Sequence, residues 1–389
     1  MHRSIITSIL LGLAAGAVAA LMLTLMHGLE ALIWRGEAGP LRIAVTIMAG
    51  GVLIAMMRWR LPGANFDSQL QDGREGLPQP LSKAATLAGL GIVSVGFGGA
   101  IGPEAGILAV VTELSALISA RIARDVAEAR LIGQIGVAGA LGGLYGSPPG
   151  GAGFANDAPD APWPLLVLAA VAGLAGLLLA GAVLPEGPGL QLPLPPAPRF
   201  DLPYLLPALV AGLAGAVIGA AYVGGLLGFH RLLGAVSGDV RVQVLLGTAL
   251  FAALAAAFPF LRFNGQHELA QLAEQGGTID AGYLAGVGLM KAIVLGLCLA
   301  AHWLGGPIMP LAMAGAAAGA AVAVAIPGID IGVATAAGVA ACCTVGMNKP
   351  LVVLLVLAFM ATTLALIPMT IGVLIGWLVA QILPDERLH

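Results

Sequence analysis

Charge is scarce in this sequence: only 10% of its 389 residues are Asp, Glu, Lys or Arg, against roughly a quarter in a soluble domain. A chain so poor in charge and 59% apolar cannot clothe itself in a hydrated surface, which excludes a soluble globular protein. Aromatic residues are few as well, at 5%, so the belts that anchor helices at membrane interfaces are thin. No basic block is present: 17 Lys+Arg stand against 20 Asp+Glu for a formal charge of −3. Nothing tracks a phosphate backbone, and nucleic-acid binding is excluded. The three cysteines, Cys298, Cys342 and Cys343, lie inside apolar runs with no histidine at ligand spacing. They fit neither a zinc site nor a disulfide framework and read as small packing residues, with no metal and no cofactor expected.

What is there is apolar chain, almost end to end. At about 20 residues per crossing, it supplies on the order of ten to twelve membrane helices. The run from Ser4 to Met26 carries no charge; it is too long for a signal-peptide core, lacks an obvious cleavage site, and reads as the first span. Further runs cover roughly 43–57, 84–120, 131–155, 164–184, 203–229, 242–261, 281–303, 307–327, 329–347 and 350–383. The 57 glycines suit close helix–helix approach in lipid. Arg3 before the first helix, with Arg58 and Arg60 after the second, places the N-terminus in the cytoplasm by the positive-inside rule. The expected location is the cell membrane, with lipid all round, and the tail Asp385 to His389 is too short for a soluble regulatory domain.

Near the midpoint, Pro185 to Pro203 holds seven prolines and cannot be helical. It reads as a linker, residues 185–202, between two membrane halves at 1–184 and 203–389. The halves echo one another. Gly102-Pro103 precedes Gly306-Pro307 by 204 residues, each in a glycine-rich break (GFGGAIGPEAG and HWLGGPIMPLA) that opens an apolar helix. Ser147-Pro148-Pro149 and Asn348-Lys349-Pro350 then interrupt each half at a comparable point, and each half closes on Leu-Pro.

A Gly-Pro break inside a membrane frees main-chain groups that lipid cannot satisfy, so it persists only where it is buried in protein or lines a wet cavity. Proline suits the first turn of a helix, whose N–H groups have no internal partner, and Pro310 is tolerated for the same reason. Pro103 and Pro307 therefore each start a half-helix. Two half-helix N-termini converging at the midplane form an anion site. Glu104 follows the first break directly, and an intramembrane carboxylate is functional by default. Its charged form takes the N–H groups an anion would use, so carboxylate and anion compete, and protonation opens the path.

These residues resemble the CLC family of chloride channels and chloride/proton antiporters. Gly102-Pro103-Glu104-Ala105-Gly106 is similar to the family's G-[KR]-E-G-P signature, with the glutamate in place but Pro103 where Arg or Lys stands and Ala105-Gly106 for the final Gly-Pro. Gly306-Pro307-Ile308-Met309-Pro310 resembles G-x-F-x-P, with Ile308 at the aromatic position. Ala138 to Asp157 and Asn348-Lys349-Pro350-Leu351 are similar to the segments that follow. The resemblance implies an all-α polytopic membrane protein of two inverted-topology repeats with re-entrant half-helices, a homodimer with one pathway per subunit for chloride or another small anion, with or without protons. It implies Glu104 as gate and an anion site at Gly102, Glu104, Ala105, Gly306, Ile308 and Met309, with the N–H groups of Glu104, Ala105, Ile308 and Met309 as donors. The family's G-S-G-I-P serine has only a weak counterpart at Gly63-Ala64-Asn65-Phe66-Asp67, which makes Asn65 the candidate contact. The C-terminal tyrosine of the central site has no match, since no tyrosine lies beyond Tyr283. The antiporters' acidic pair falls at Asp157 and Ala158, leaving the proton-transfer position empty.

Asp157, Glu113 and Lys291 are the candidates for a substitute proton or charge relay. Glu113 lies nine residues after Glu104, on roughly the opposite helix face, and reads chiefly as a packing or subunit-contact residue. Lys291 reads chiefly as a snorkelling lysine. An enzyme is not expected: His267-Glu268 lacks the second histidine of H-E-x-x-H because residue 271 is Gln271, and Gly146-Ser147-Pro148 lacks the closing glycine of G-x-S-x-G. A cation carrier would display converging carboxylates or helix C-termini. A transport-inactive relative with an assembly role, or a carrier of a different small anion, stays open, as does channel against antiporter.

Overall fold

The computed structural model describes residues 2–59, 61, 65–75, 81–155, 163–183, 190–199, 201–275, 278–363 and 365–384. Among them the architecture is all-helical. The first half holds α1 (His2–Ile33), α2 (Pro40–Arg58), α3 (Phe66–Glu75), α4 (Leu81–Gly96), α5 (Glu104–Ile122), α6 (Val126–Leu144), α7 (Pro148–Ala155) and α8 (Trp163–Val183). The second holds α9 (Leu205–Val236), α10 (Val240–Ala257), α11 (Gln266–Gln275), α12 (Ala281–Ala300), α13 (Ile308–Ala325), α14 (Ile331–Met347), α15 (Pro350–Met360) and α16 (Leu366–Ala380).

The halves match helix for helix. α1 and α9 are both 32 residues long, α3 and α11 both 10, and α2 and α10 are 19 and 18. Caps repeat as well: Asp125 accepts from the Glu128 N–H at the start of α6, and Asp330 accepts from the Val333 N–H at the start of α14. Each supplies an acceptor to an otherwise orphaned helix donor. Among the described residues, eight helices are long and apolar enough to cross a membrane, and four shorter apolar helices, α4 and α14 to α16, accompany them. The shortfall against ten to twelve full crossings has a plain cause: the breaks cut some apolar runs into pieces too short to span.

The helices sort into two layers. α13 and α14 are buried along nearly their whole length. α1, α2, α8, α9, α10 and α16 carry exposed leucines, valines and isoleucines on one side, such as Leu10, Leu21, Val45, Leu178, Leu213, Leu250 and Leu374. That is the arrangement of a protein whose outer solvent is hydrocarbon. Small residues let the inner helices touch: on α1, a Cβ added to Gly16 would sit 2.5 Å from the Gly176 carbonyl oxygen of α8. The second half repeats the device where Gly215 of α9 meets the main chain at Gly338 of α14.

The described part of the proline-rich stretch, 190–199, is packed: it runs irregularly, with Leu190, Leu192 and Leu194 buried. Leu192 N–H donates to the Met360 carbonyl at 2.9 Å, and Thr362 N–H donates back to Leu192 at 3.1 Å.

Candidate functional site

Both breaks form where glycine or a left-handed residue lets the chain reverse. After α4 ends at Gly96, Gly98 adopts φ 88°, and after α12 ends at Ala300, His302 adopts φ 62°. Each chain then restarts, α5 at Glu104 and α13 at Ile308, with Pro103 and Pro307 as N-caps in helical φ/ψ. The prolines thus stand one residue earlier than the first helical position, which is within the ordinary latitude of a helix boundary.

The two breaks hold each other. Gly102 N–H donates to the Gly306 carbonyl at 2.7 Å, and Gly306 N–H donates to the Gly102 carbonyl at 3.0 Å. This isolated antiparallel bridge satisfies buried main-chain groups that would otherwise be stranded. Gly102 and Gly306 thus spend their N–H groups on one another and bring the two helix starts together. Among the described residues, no main-chain carbonyl accepts from the N–H of Glu104, Ala105, Ile308 or Met309.

Glu104 fills the notch above the bridge and is 0% exposed. A Cβ on either Gly102 or Gly306 would strike its carboxylate, so only glycine admits the side chain there. Oε1 accepts from the Tyr145 hydroxyl at 2.9 Å, and Oε2 has no hydrogen-bond partner. Tyr145 is the residue that sequence reasoning missed. It ends α6 as the C-cap, and its buried ring stacks on Phe154 at 6.0 Å. A signal was present: a tyrosine inside an apolar membrane run needs a partner for its hydroxyl.

Further contacts fix the second break. Trp303 donates from Nε1 to the Thr248 hydroxyl at 3.0 Å and meets Phe251 edge-on at 5.5 Å. Leu304 N–H donates to the Ser94 hydroxyl of α4 at 3.1 Å, and the Cys343 thiol lies 3.8 Å from the Ile308 carbonyl. The three cysteines are free and buried. Arg58, read from sequence as a topology marker, is also a structural donor: it is buried, and its Nε donates to the His302 carbonyl at 2.8 Å.

The other candidates make contacts of their own. Asn65 caps α3, its side-chain oxygen accepting from Ser68 N–H at 2.8 Å. Glu113 is buried within the chain on α5, among the residues that pack α5 into its neighbours. Lys291 does not snorkel. Its ammonium is wholly buried and donates to the carbonyls of Phe260, Arg262 and Phe263 at 3.1, 2.9 and 2.9 Å, pinning the turn before α11. Asp157 lies outside the described residues. Ser147 caps α7 through Gly150 N–H and donates to the Leu355 carbonyl, a structural role.

Paired broken helices held to each other inside a bundle of apolar helices define a multi-pass membrane protein. The sequence matches the voltage-gated chloride channel family over residues 66–381, and the chain belongs to that family. Its fold is similar to that of a CLC-type fluoride/proton antiporter, with a TM-score of 0.82 at 18% identity, covering 100% of this chain and 97% of the other. It is similar also to a slow cyanobacterial Cl−/H+ antiporter, with a TM-score of 0.81 at 16% identity over 99% and 96% of the two chains. A eukaryotic CLC transporter matches with a TM-score of 0.69 at 19% identity, over 97% of this chain and 71% of that one. No curated protein sequence matches. The chain is a multi-pass membrane protein with the CLC fold.

Proposed function

We propose that this protein carries chloride or another small anion across the cell membrane, that the anion binds at the N-termini of α5 and α13, and that Glu104 gates the path. The observation that carries the reading is the carboxylate itself: buried, seated on the bridge between the two breaks, with Oε2 unpartnered. Helix N-termini favour negative charge, and one carboxylate there excludes another anion by occupancy and by repulsion. Protonation cancels both effects and frees the side chain to leave. The N–H groups of Glu104, Ala105, Ile308 and Met309 then serve the anion.

The resemblance supports a homodimer with one pathway per subunit, built from halves at 1–184 and 203–389 with the N-terminus in the cytoplasm. Relatives of the same fold are named as fluoride/proton and Cl−/H+ antiporters, which makes coupled protons the first thing to test. The experiment is anion efflux from liposomes holding purified protein, with external pH recorded at several voltages. Protons moved against their gradient by an anion gradient mark an antiporter. Anion flux without protons marks a channel, and the absence of any flux would replace this reading by an assembly role.

A further inference from the structure

We propose that Tyr145 is an anion-binding residue, whose hydroxyl passes from the Glu104 carboxylate to the permeating anion when Glu104 withdraws. The inference rests on the reading of Glu104 as the gate and names a donor that the main chain alone does not supply.

The hydroxyl is held where it is. Tyr145 is fully buried, the ring stacks on Phe154 with an interplanar angle of 29°, and Phe154 in turn meets Phe66 edge-on at 6.1 Å. The backbone is equally set: Tyr145 closes α6, and Gly146 follows at φ 61° to turn the chain into α7. Ring and main chain are both held by contacts that do not involve the carboxylate. The hydroxyl therefore stays behind as a buried donor facing the vacated position, and a buried donor left without an acceptor is unfavourable. The incoming anion is the acceptor at hand. In the occupied state the carboxylate already models the exchange, with Oε1 on the Tyr145 hydroxyl and Oε2 free at the Gly102–Gly306 bridge. The Cys343 thiol is directed at the Ile308 carbonyl.

A hydroxyl donor favours small anions of high charge density over large diffuse ones, so its removal has a graded signature that a packing defect lacks. The test uses the full chain in detergent and measures binding of fluoride, chloride and thiocyanate by calorimetry in wild type, Glu104→Ala, Tyr145→Phe and the double variant. Tyr145→Phe keeps the ring and its stacking. In the Glu104→Ala background, the proposal expects loss of the hydroxyl to weaken fluoride and chloride about tenfold or more, as for a hydrogen bond to a charged group, and thiocyanate by less than about threefold on the same scale. Equal affinities with and without the hydroxyl, or an equal loss for all three anions, would overturn it. If Glu104→Ala binds chloride no better than wild type, the competitor reading of Glu104 fails. The proposal, which needs the carboxylate to leave, falls with it, whereas tighter binding by Glu104→Ala with no graded loss in the double variant overturns the hydroxyl alone.

Discussion

Glu104 is a carboxylate removed from water and given a single side-chain partner, Tyr145. Under the proposed reading, Glu104→Gln removes the charge that blocks the path while keeping the shape. Anion efflux is expected to rise at least several-fold at neutral pH and to lose its dependence on pH; unchanged rate and pH profile would refute the gate. Gly306→Ala tests the seat rather than the charge. Its Cβ strikes the carboxylate, so efflux at neutral pH should rise toward that of Glu104→Gln although Glu104 remains. Lys291 answers a different question. Replacing it by methionine strips the donor from the carbonyls at 260, 262 and 263, and a stranded group costs about 1–3 kcal/mol where water cannot reach it. A thermal midpoint in detergent several degrees below wild type is expected, with anion selectivity unaltered. An unchanged midpoint would show that other donors take up the turn.

The helices that hydropathy finds are the ones that face lipid or fill the centre; the ones it misses are α3 and α11. Both are short and polar, and neither lies within the apolar runs ending or starting around them. The buried residues of α3, Phe66, Gln69, Leu70 and Gly73, do fall at i, i+3, i+4 and i+7, but only Phe66 and Leu70 are apolar side chains that mark the period in the sequence. In a chain dominated by continuous apolar runs that weaker period is easily overlooked. Helix contacts are set by small residues. Gly16→Leu drives a side chain into the main chain of α8 at Gly176, and overpacking of this kind costs about 1–3 kcal/mol or more. Folded yield and thermal midpoint should both fall, whereas the same change at Gly28, which has open space around it, should leave them near wild type. Equal behaviour of the two variants would show that α1 and α8 can part without loss.

The duplicated molecule makes a prediction about sidedness. If the repeats are inverted, the end of α1 and the end of α9 emerge on opposite faces of the membrane. Single cysteines at Arg35 and Gly238, both exposed, should be labelled by a membrane-impermeant thiol reagent from opposite sides of a sealed vesicle. The three native thiols are buried and should give little background. Labelling of both from one side would contradict the inverted arrangement.

Composition and pattern were enough to establish a membrane protein, two breaks and the glutamate beside the first of them, because hydropathy, proline and glycine act through local chemistry along the chain. The position of Tyr145 was not readable that way. It lies 41 residues from Glu104, on another helix, and only the packing of α6 against α5 sets its hydroxyl on the carboxylate. The same holds for the reciprocal bond between Gly102 and Gly306, for Arg58 on the His302 carbonyl and for Lys291 in the turn before α11. Each is a polar group buried far from water that found its partner across the fold, and sequence separation carries no information about such pairings.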